Sequence, residues 1–354
     1  MSQQKLRVGV LGATGAVGQQ FLRLLDGHPW FDVTAVAASE RSAGKPYAEA
    51  ARWMLSDPLS DAVAAMTVQA CTPDLPCDLV FSGLDAAVAG DIEGAFARAG
   101  YGVVSNARNH RMQADVPLLI PEVNPGHTAL LDRQTFDPGG AGFIVTNPNC
   151  STVGLVCALK PLHDAFGVEA VHVVTMQALS GAGYPGVPSL DALGNVIPHI
   201  GGEEDKMATE PLKLLGTLGA DGVENAAFAV SAQCNRVPVI DGHLLCASVR
   251  LTGSPSADAV REALRTAPDP LADLNLPSSP ARWLVVDDAP DAPQTRRHVG
   301  RGNGMTVSVG KVQPCPVLGV KFVALVHNTV RGAAGGAILN AELLVAQGRL
   351  RARG

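Results

Sequence analysis

Along the first part of the chain, short apolar runs alternate with stretches of helical spacing. Leu6–Leu11 reads as a strand, and Val17, Phe21, Leu24 and Leu25 recur at the intervals of a helix. Val33–Ala38, Leu79–Ser82 and Val103–Ser105 predict further strands, with a helix over Glu93–Ala99 between the last two. Helical side chains share a face every 3.6 residues and strand side chains every second one, which separates the two kinds of run. Strands that alternate with helices build βαβ units on a parallel sheet. Asp132–Gly142 is a polar, glycine-rich loop. It leads into an apolar Ile144–Thr146, then Asn147-Pro148-Asn149-Cys150 and a helical pattern over Ser151–Phe166.

From Val168 the texture changes. Longer strand-like runs occupy Val168–Leu179, Phe228–Gln233, Leu244–Leu251, Met305–Gln313 and Val320–His327, and Ser256 opens a helix over Ala257–Thr266. This predicts a second domain on a mixed or antiparallel sheet. Pro277–Pro293, rich in Pro and Asp, reads as an exposed arm. Ala333–Val345 reads as an apolar helix that returns to the first domain.

Composition narrows the function classes. A length of 354 residues suits about two domains. With 47% apolar and 17% charged residues, the chain is not a disordered one. The net charge of −6 disfavours nucleic acid, whose phosphates need a basic face. No run approaches the ~18 apolar residues of a membrane span. Met1–Arg7 is too short a basic stretch, before a glycine-rich apolar run, for a secretory signal, so a cytoplasmic protein is expected. Seven cysteines without a CxxC pair, and nine scattered histidines without HExxH, predict neither a disulfide framework nor a metal site.

Gly12-Ala13-Thr14-Gly15-Ala16-Val17-Gly18 follows the first strand and opens the first helix, a G-x-x-G-x-x-G variant of the dinucleotide fingerprint. Glycines allow the tight turn, and a helix N-terminus attracts a diphosphate; the alternative is a turn without a ligand. Past the second strand, Ser39, Arg41 and Ser42 offer hydroxyls and a guanidinium to a 2′-phosphate, while Glu40 would suit a free ribose, so NADP is favoured over NAD. Ser82-Gly83 ends a later strand, where such sheets bind ligands.

Cys150 is the sharpest chemical feature. Asn149 is placed to cap the helix that follows, which puts Cys150 in its first turn. The helix dipole there favours a thiolate, and free backbone N–H groups can hold an oxyanion. The bland alternative is a small packed residue like Cys157. His243 follows an Asp-Gly turn and precedes a strand, and Arg236 lies seven residues earlier. They are candidates for acid/base partner and carboxylate grip, or else a capped turn and a surface ion pair.

The stretches GVLGATGAVGQ, AASERSAGKPY, SNARNHRMQADVPLLIPEVN, TNPNCSTVG, MQALSGAGYPGVPS, EEDKMATEPLKLLGTL, CNRVPVIDGH, GNGMTVSVG and HNTVRGAAGGAILNAE resemble the aspartate-semialdehyde dehydrogenase family, in its archaeal and fungal branch, from residue 8 to about 342. The resemblance implies an α/β fold: a Rossmann-type parallel-sheet domain over 1–149, completed by the C-terminal segment 333–354, and a second α+β catalytic and dimerisation domain over 150–332. It implies NADPH-dependent reduction of L-aspartyl-4-phosphate to L-aspartate 4-semialdehyde and phosphate, on the route to lysine, threonine and methionine. It assigns Cys150 as the nucleophile that forms a thioester, His243 as acid/base, Gln177 as the residue orienting the intermediate, and Asn149 as its neighbour. Arg236 would hold the substrate carboxylate, Glu203 the amino group, and Lys206 with Arg111 the phosphate. Gly12, Thr14, Gly15, Ala16 and Val17 would carry the cofactor diphosphate, Ser39, Arg41 and Ser42 its 2′-phosphate, and Ser180, Gly181, Gly183, Asn328 and Thr329 would lie near the nicotinamide. A homodimer or homotetramer is expected. Malonyl-CoA reductase resembles the same branch and is the alternative activity, N-acetylglutamyl-phosphate reductase is a more distant one, and a nucleotide-binding redox sensor is the non-catalytic reading.

Overall fold

The computed structural model describes residues 5–353; the expectations placed on Met1–Gln4 and on Gly354 lie outside them. The first sheet is built from β1 (Leu6–Leu11), β2 (Phe31–Ala38), β3 (Gln69–Ala70), β4 (Leu79–Ser82), β5 (Gly102–Ser105) and β6 (Phe143–Thr146), in the order β3-β2-β1-β4-β5-β6. All its pairings are parallel. The strand order reverses beside β1, and the register sets Leu11 against Ser82, so the carboxyl ends of β1 and β4 open a crevice.

Both faces of this sheet are covered, which is why its strands read as nearly unbroken apolar runs. Val8 and Val10 pack with Phe21, Leu22 and Leu25 of α1 (Ala16–Leu25) and with Ile338, Leu339 and Leu343 of the C-terminal helix Gly335–Ala346. Leu11, Val80 and Val103 pack on the other face with Phe96 and Ala97 of α2 (Ala86–Arg98). Phe21 stacks on Phe81 with centroids 5.0 Å apart; emptying either site costs about 3–5 kcal/mol.

The second sheet runs β8-β7-β9-β12-β11-β10, a mixed sheet, from β7 (Val168–Gln177), β8 (Ala229–Arg236), β9 (His243–Leu251), β10 (Leu284–Asp287), β11 (Val307–Cys315) and β12 (Gly319–Val326). Its inner face, with Val171, Val173, Leu245, Ala247 and Phe322, is covered by α3 (Cys150–Phe166), whose Val156, Leu159 and Leu162 are fully buried. On the outer face Val174, Cys246 and Val323 stand in one register row and stay partly or fully exposed.

Several elements differ from the sequence reading, among them the following. Pro277–Pro293 is not simply an exposed arm: Leu284–Asp287 pairs in parallel with β11, and Trp283 and Leu284 are buried. The apolar Trp-Leu-Val-Val run outweighs the prolines around it. The helix expected over Glu93–Ala99 starts at Ala86, because Asp85 caps it through Ala87 N–H. A helix over Glu203–Leu214, α4, was not anticipated, although three acids in its first turn and Lys213 in its last match the helix dipole. The C-terminal helix opens through a π turn at Val330–Ala334.

Candidate active site

The chain leaves β1 at Gly12 with φ +70°, and a Cβ there would lie 2.8 Å from the carbonyl oxygen of Gly83. At Gly18 a Cβ would lie 2.2 Å from the Gly12 carbonyl oxygen. Backbone thus packs on backbone where β1, β4 and α1 meet, and only glycine fits. Gly15 is the N-cap of α1 and no side chain caps it, so that helix keeps open donors. Ser39 and Arg41 are exposed past the end of β2, with Ser42 folded back by its N–H on the Ser39 carbonyl and Glu40 exposed beside them. Ser82 corrects the sequence reading: its hydroxyl is buried below the crevice, and only the adjoining Gly83 is accessible.

Asn149 caps α3 as expected, its Oδ1 accepting from the N–H groups of Ser151 and Thr152. Cys150 is the first residue of that helix, partly exposed on the cleft wall. Two expectations about it change. The capping side chain already occupies the Ser151 and Thr152 donors, so the first turn does not offer a set of free N–H groups for an oxyanion. The thiol is also not activated in the free protein. Burial pushes it up to about 12, and the Glu203 carboxylate adds to the rise; Lys206 and Arg111 pull the other way and lose.

One face of α4 organises this wall. Glu203, Lys206, Glu210 and Lys213 follow one another at helical spacing. Lys206 pairs with Glu203. Asn149 Nδ2 donates to both oxygens of Glu203 at 2.8 and 3.1 Å, and Gln177 Nε2 donates to Glu203 at 3.2 Å. These donors and Lys206 hold Glu203 below the usual carboxylate range despite burial, which works upward. Glu210, which the sequence reading missed, accepts from Asn149 N–H at 2.6 Å and from Arg111 Nη1 at 2.8 Å. Arg111 Nη2 donates to the Asn106 carbonyl. Lys213, also missed, donates to the carbonyls of Arg111, Gln113 and Val116, and burial lowers it to about 8. Helical spacing from Glu203 puts both on its face, but it does not show their partners, which lie about a hundred residues away.

His243 begins β9, fully buried. Its Nδ1 accepts from Ala178 N–H at 3.0 Å, so the neutral ring carries its proton on Nε2, which has no partner. Burial first, then Arg236 and His327, lower it to about 3. Arg236 donates from Nη1 to the Ala178 carbonyl at 2.6 Å. Gly181 covers both: a Cβ there would stand 3.0 Å from Arg236 Nη1 and 3.1 Å from His243 Nε2. Asn328 ties this region together, donating to Ser180 Oγ at 2.8 Å and accepting from Gly242 N–H.

A cleft of about 390 Å³ gathers much of the predicted set. Ala16 and Val17 line it together with Cys150, Asn149, Arg111, Glu203 and Lys206, and with Ser180, Gly181, Gly183, Asn328 and Thr329. Gly12, Thr14, Gly15, Ser39, Arg41, Ser42 and Gly83 do not line that cleft and lie past the ends of β1, β2 and β4, and the buried Gln177, Arg236 and His243 adjoin its lining residues Glu203 and Gly181. The cleft also includes residues not anticipated: Asp85, Arg108, and Gly332 of the π turn, where a Cβ would be 2.7 Å from that of Cys150. Among the described residues, no group of three His, Cys, Asp or Glu side chains is placed to hold a metal.

Comparison with known proteins matches the chain over nearly its whole length. Residues 7–131 match the family described as Semialdehyde dehydrogenase, NAD binding domain, and residues 159–331 match Semialdehyde dehydrogenase, dimerisation domain. The chain is 49% identical over 339 residues to aspartate-semialdehyde dehydrogenase of Archaeoglobus fulgidus, covering 96% of this chain and 97% of that one. It is 49% identical to that of Schizosaccharomyces pombe, covering 97% and 98%. The crystal structure of the Candida albicans enzyme with NADP superposes with a TM-score of 0.91 at 45% identity, over 98% of this chain and 100% of that one.

Proposed function

The chain belongs to the aspartate-semialdehyde dehydrogenase family, and on that premise we propose how its own residues carry the reduction of L-aspartyl-4-phosphate to the semialdehyde. The observation that carries the reading is that Cys150, Glu203, Lys206 and Arg111 line one cleft with Ala16 and Val17 from the uncapped start of α1. The flush glycine contacts at Gly12 and Gly18 fit a dinucleotide diphosphate, which Thr14, Gly15, Ala16 and Val17 would hold, with Ser39, Arg41 and Ser42 at the 2′-phosphate. Bound NADPH supplies the hydride.

The protein's part is nucleophile, charge and proton. Cys150 Sγ attacks the acyl carbon, the C–O bond to phosphate breaks, and the thiol proton leaves with the departing phosphate, so that a thioester and hydrogen phosphate result. The substrate ammonium binds Glu203, which cancels the charge that raises the thiol and leaves Lys206 to lower it. Substrate binding thus removes the Glu203 contribution to the raised thiol, while the larger contribution, burial, stays. Arg236, held by the Ala178 carbonyl, takes the α-carboxylate. Gln177 and Asn149 keep Glu203 in place. With Nδ1 pinned by Ala178 N–H, His243 Nε2 is the ring atom that exchanges a proton at the intermediate's oxygen.

The quoted relatives support the acyl-phosphate substrate over malonyl-CoA. Incubation with aspartate semialdehyde, NADP and phosphate yields NADPH; turnover only with malonyl-CoA and NADPH reverses the assignment. We divide the chain at Asn149 and Cys150, the C-terminal helix joining the first unit, because its apolar side chains pack with β1 and α1. The half-open row Val174, Cys246 and Val323 supports a homodimer through the outer face of the second sheet, checked by sedimentation. A cytoplasmic enzyme accords with seven unpaired cysteines and with the absence, among the described residues, of a helix able to cross a membrane.

A further inference from the structure

By volume, Arg331 stands first among the fully buried side chains, and the chemistry of the cleft does not use it. Its Nη2 donates to Glu122 Oε2 at 2.6 Å and also reaches Cys157 Sγ at 3.8 Å, on the helix that begins with Cys150. Glu122 is equally buried. It sits on a turn that Asn124 locks, with Asn124 Oδ1 accepting from Ile120 N–H at 2.9 Å and Nδ2 donating to the Leu118 carbonyl at 2.8 Å. Arg331 itself belongs to the π turn Val330–Ala334. The next residue is Gly332, where a Cβ would stand 2.7 Å from Cβ and 2.9 Å from Cα of Cys150. Gly332 N–H donates to the His327 carbonyl at 2.9 Å, and the Ala333 carbonyl accepts from Asn147 Nδ2 at 2.8 Å. The backbone of the π turn thus rests directly on the nucleophile, and the Arg331 side chain ties that turn to a rigid part of the core.

We propose that Arg331, through its pair with Glu122, is a positioning residue for Cys150: it fixes the π turn against the first turn of α3, which sets the direction of Sγ and limits its contact with water. The inference rests on the role given to Cys150 in the reaction proposed above. Net stability does not account for the pair. Two charges taken out of water gain little over apolar side chains of similar volume, the more so because Arg331 Nε and Glu122 Oε1 have no partner among the described residues. What the pair adds is direction, since a hydrogen bond restricts angle and apolar contact does not. A backbone packed on Cys150 leaves no slack, and a misplacement of about 1 Å at a reacting group costs on the order of a hundredfold in rate. The same contact keeps water from Cys150, and burial is the first cause of its raised thiol. Loosening the turn therefore slows turnover and at the same time quickens alkylation of Cys150.

The test compares full-length Arg331→Met with the double variant that adds Glu122→Leu, in which both charges are gone and the volume is nearly kept. Turnover with aspartate semialdehyde, NADP and inorganic phosphate falls by about tenfold to a hundredfold in both, while the KM values for semialdehyde and phosphate stay within about twofold. Iodoacetamide alkylation of Cys150 at pH 8, read by peptide mass spectrometry, becomes about threefold to tenfold faster in both. The unfolding midpoint drops in Arg331→Met, which strands the Glu122 carboxylate, and returns to the parental value in the double variant. Arg331→Lys, whose ammonium still meets Glu122, recovers part of the turnover. Turnover restored together with the midpoint in the double variant overturns the inference, because the pair would then serve stability alone. Unchanged alkylation overturns it too, as does a loss confined to KM. If Arg331→Met does not fold, the double variant carries the same readouts. If the parent protein shows no turnover with these three reactants, the reaction assignment falls, and the alkylation comparison still decides whether Arg331 holds the turn on Cys150.

Discussion

Two helices present their N-termini to the cleft and are finished in opposite ways. At α1 the cap is Gly15, no side chain caps it, and the neighbouring glycines leave no space for side chains. At α3 the cap is Asn149, which occupies two backbone donors and is itself held by Glu203 and Glu210. An open N-terminus suits a diphosphate that arrives with its own charge. A closed one suits a sulfur that must stay quiet until substrate is bound. The same local dipole therefore serves two purposes, and what differs is whether its donors are already used.

The largest effect tests the closed terminus. Cys150→Ser lowers turnover by about a thousandfold or more, because the nucleophile is lost; NADPH fluorescence titration still gives parental affinity. Appreciable remaining turnover removes Cys150 from the mechanism. The open terminus comes next. Gly18→Ala drives a Cβ to 2.2 Å from the Gly12 carbonyl, so the turn must deform. NADP affinity falls by about tenfold to a hundredfold, in line with misplaced backbone donors. Equal affinity would mean that the cofactor seats elsewhere.

A smaller effect reads the electrostatics of α3. The thiol is raised, so iodoacetamide alkylation of Cys150, a thiolate reaction, speeds up as pH rises. Glu203 contributes to that rise, and Glu203→Gln therefore moves the rate–pH profile to lower pH. At pH 8 alkylation becomes roughly tenfold faster, as expected when the profile moves down by about one on the pH scale, although turnover falls. A profile that stays in place, or moves upward, contradicts the electrostatic account. The smallest effect compares the caps directly. Asn149→Ala costs about 1 kcal/mol in denaturant unfolding, and Gly15→Ala, where no capping bond exists, costs less. Equal losses would erase the distinction between the two ends.

The legible features were those written in neighbouring residues. The strands of the first sheet other than the two-residue β3, and the cap at Asn149, follow from local pattern, as does the glycine turn, since each depends on period or on the absence of a side chain. Leu284–Asp287 was obscured because prolines on both sides dominated a four-residue apolar run. Glu210 and Lys213 were hidden because their partners, Arg111 and the 106–116 loop, are about a hundred residues away.

What the amino-acid order determined by itself is the alternation of elements, the glycine turn before α1, and Cys150 at the head of a capped helix. Short-range backbone geometry and side-chain period suffice for these. Only the tertiary structure decided that the thiol rests protonated, that His243 is neutral with its bare Nε2 under Gly181, and which cations are already matched. Desolvation and Coulomb interaction depend on which groups converge through space, and no local stretch of sequence carries that distance.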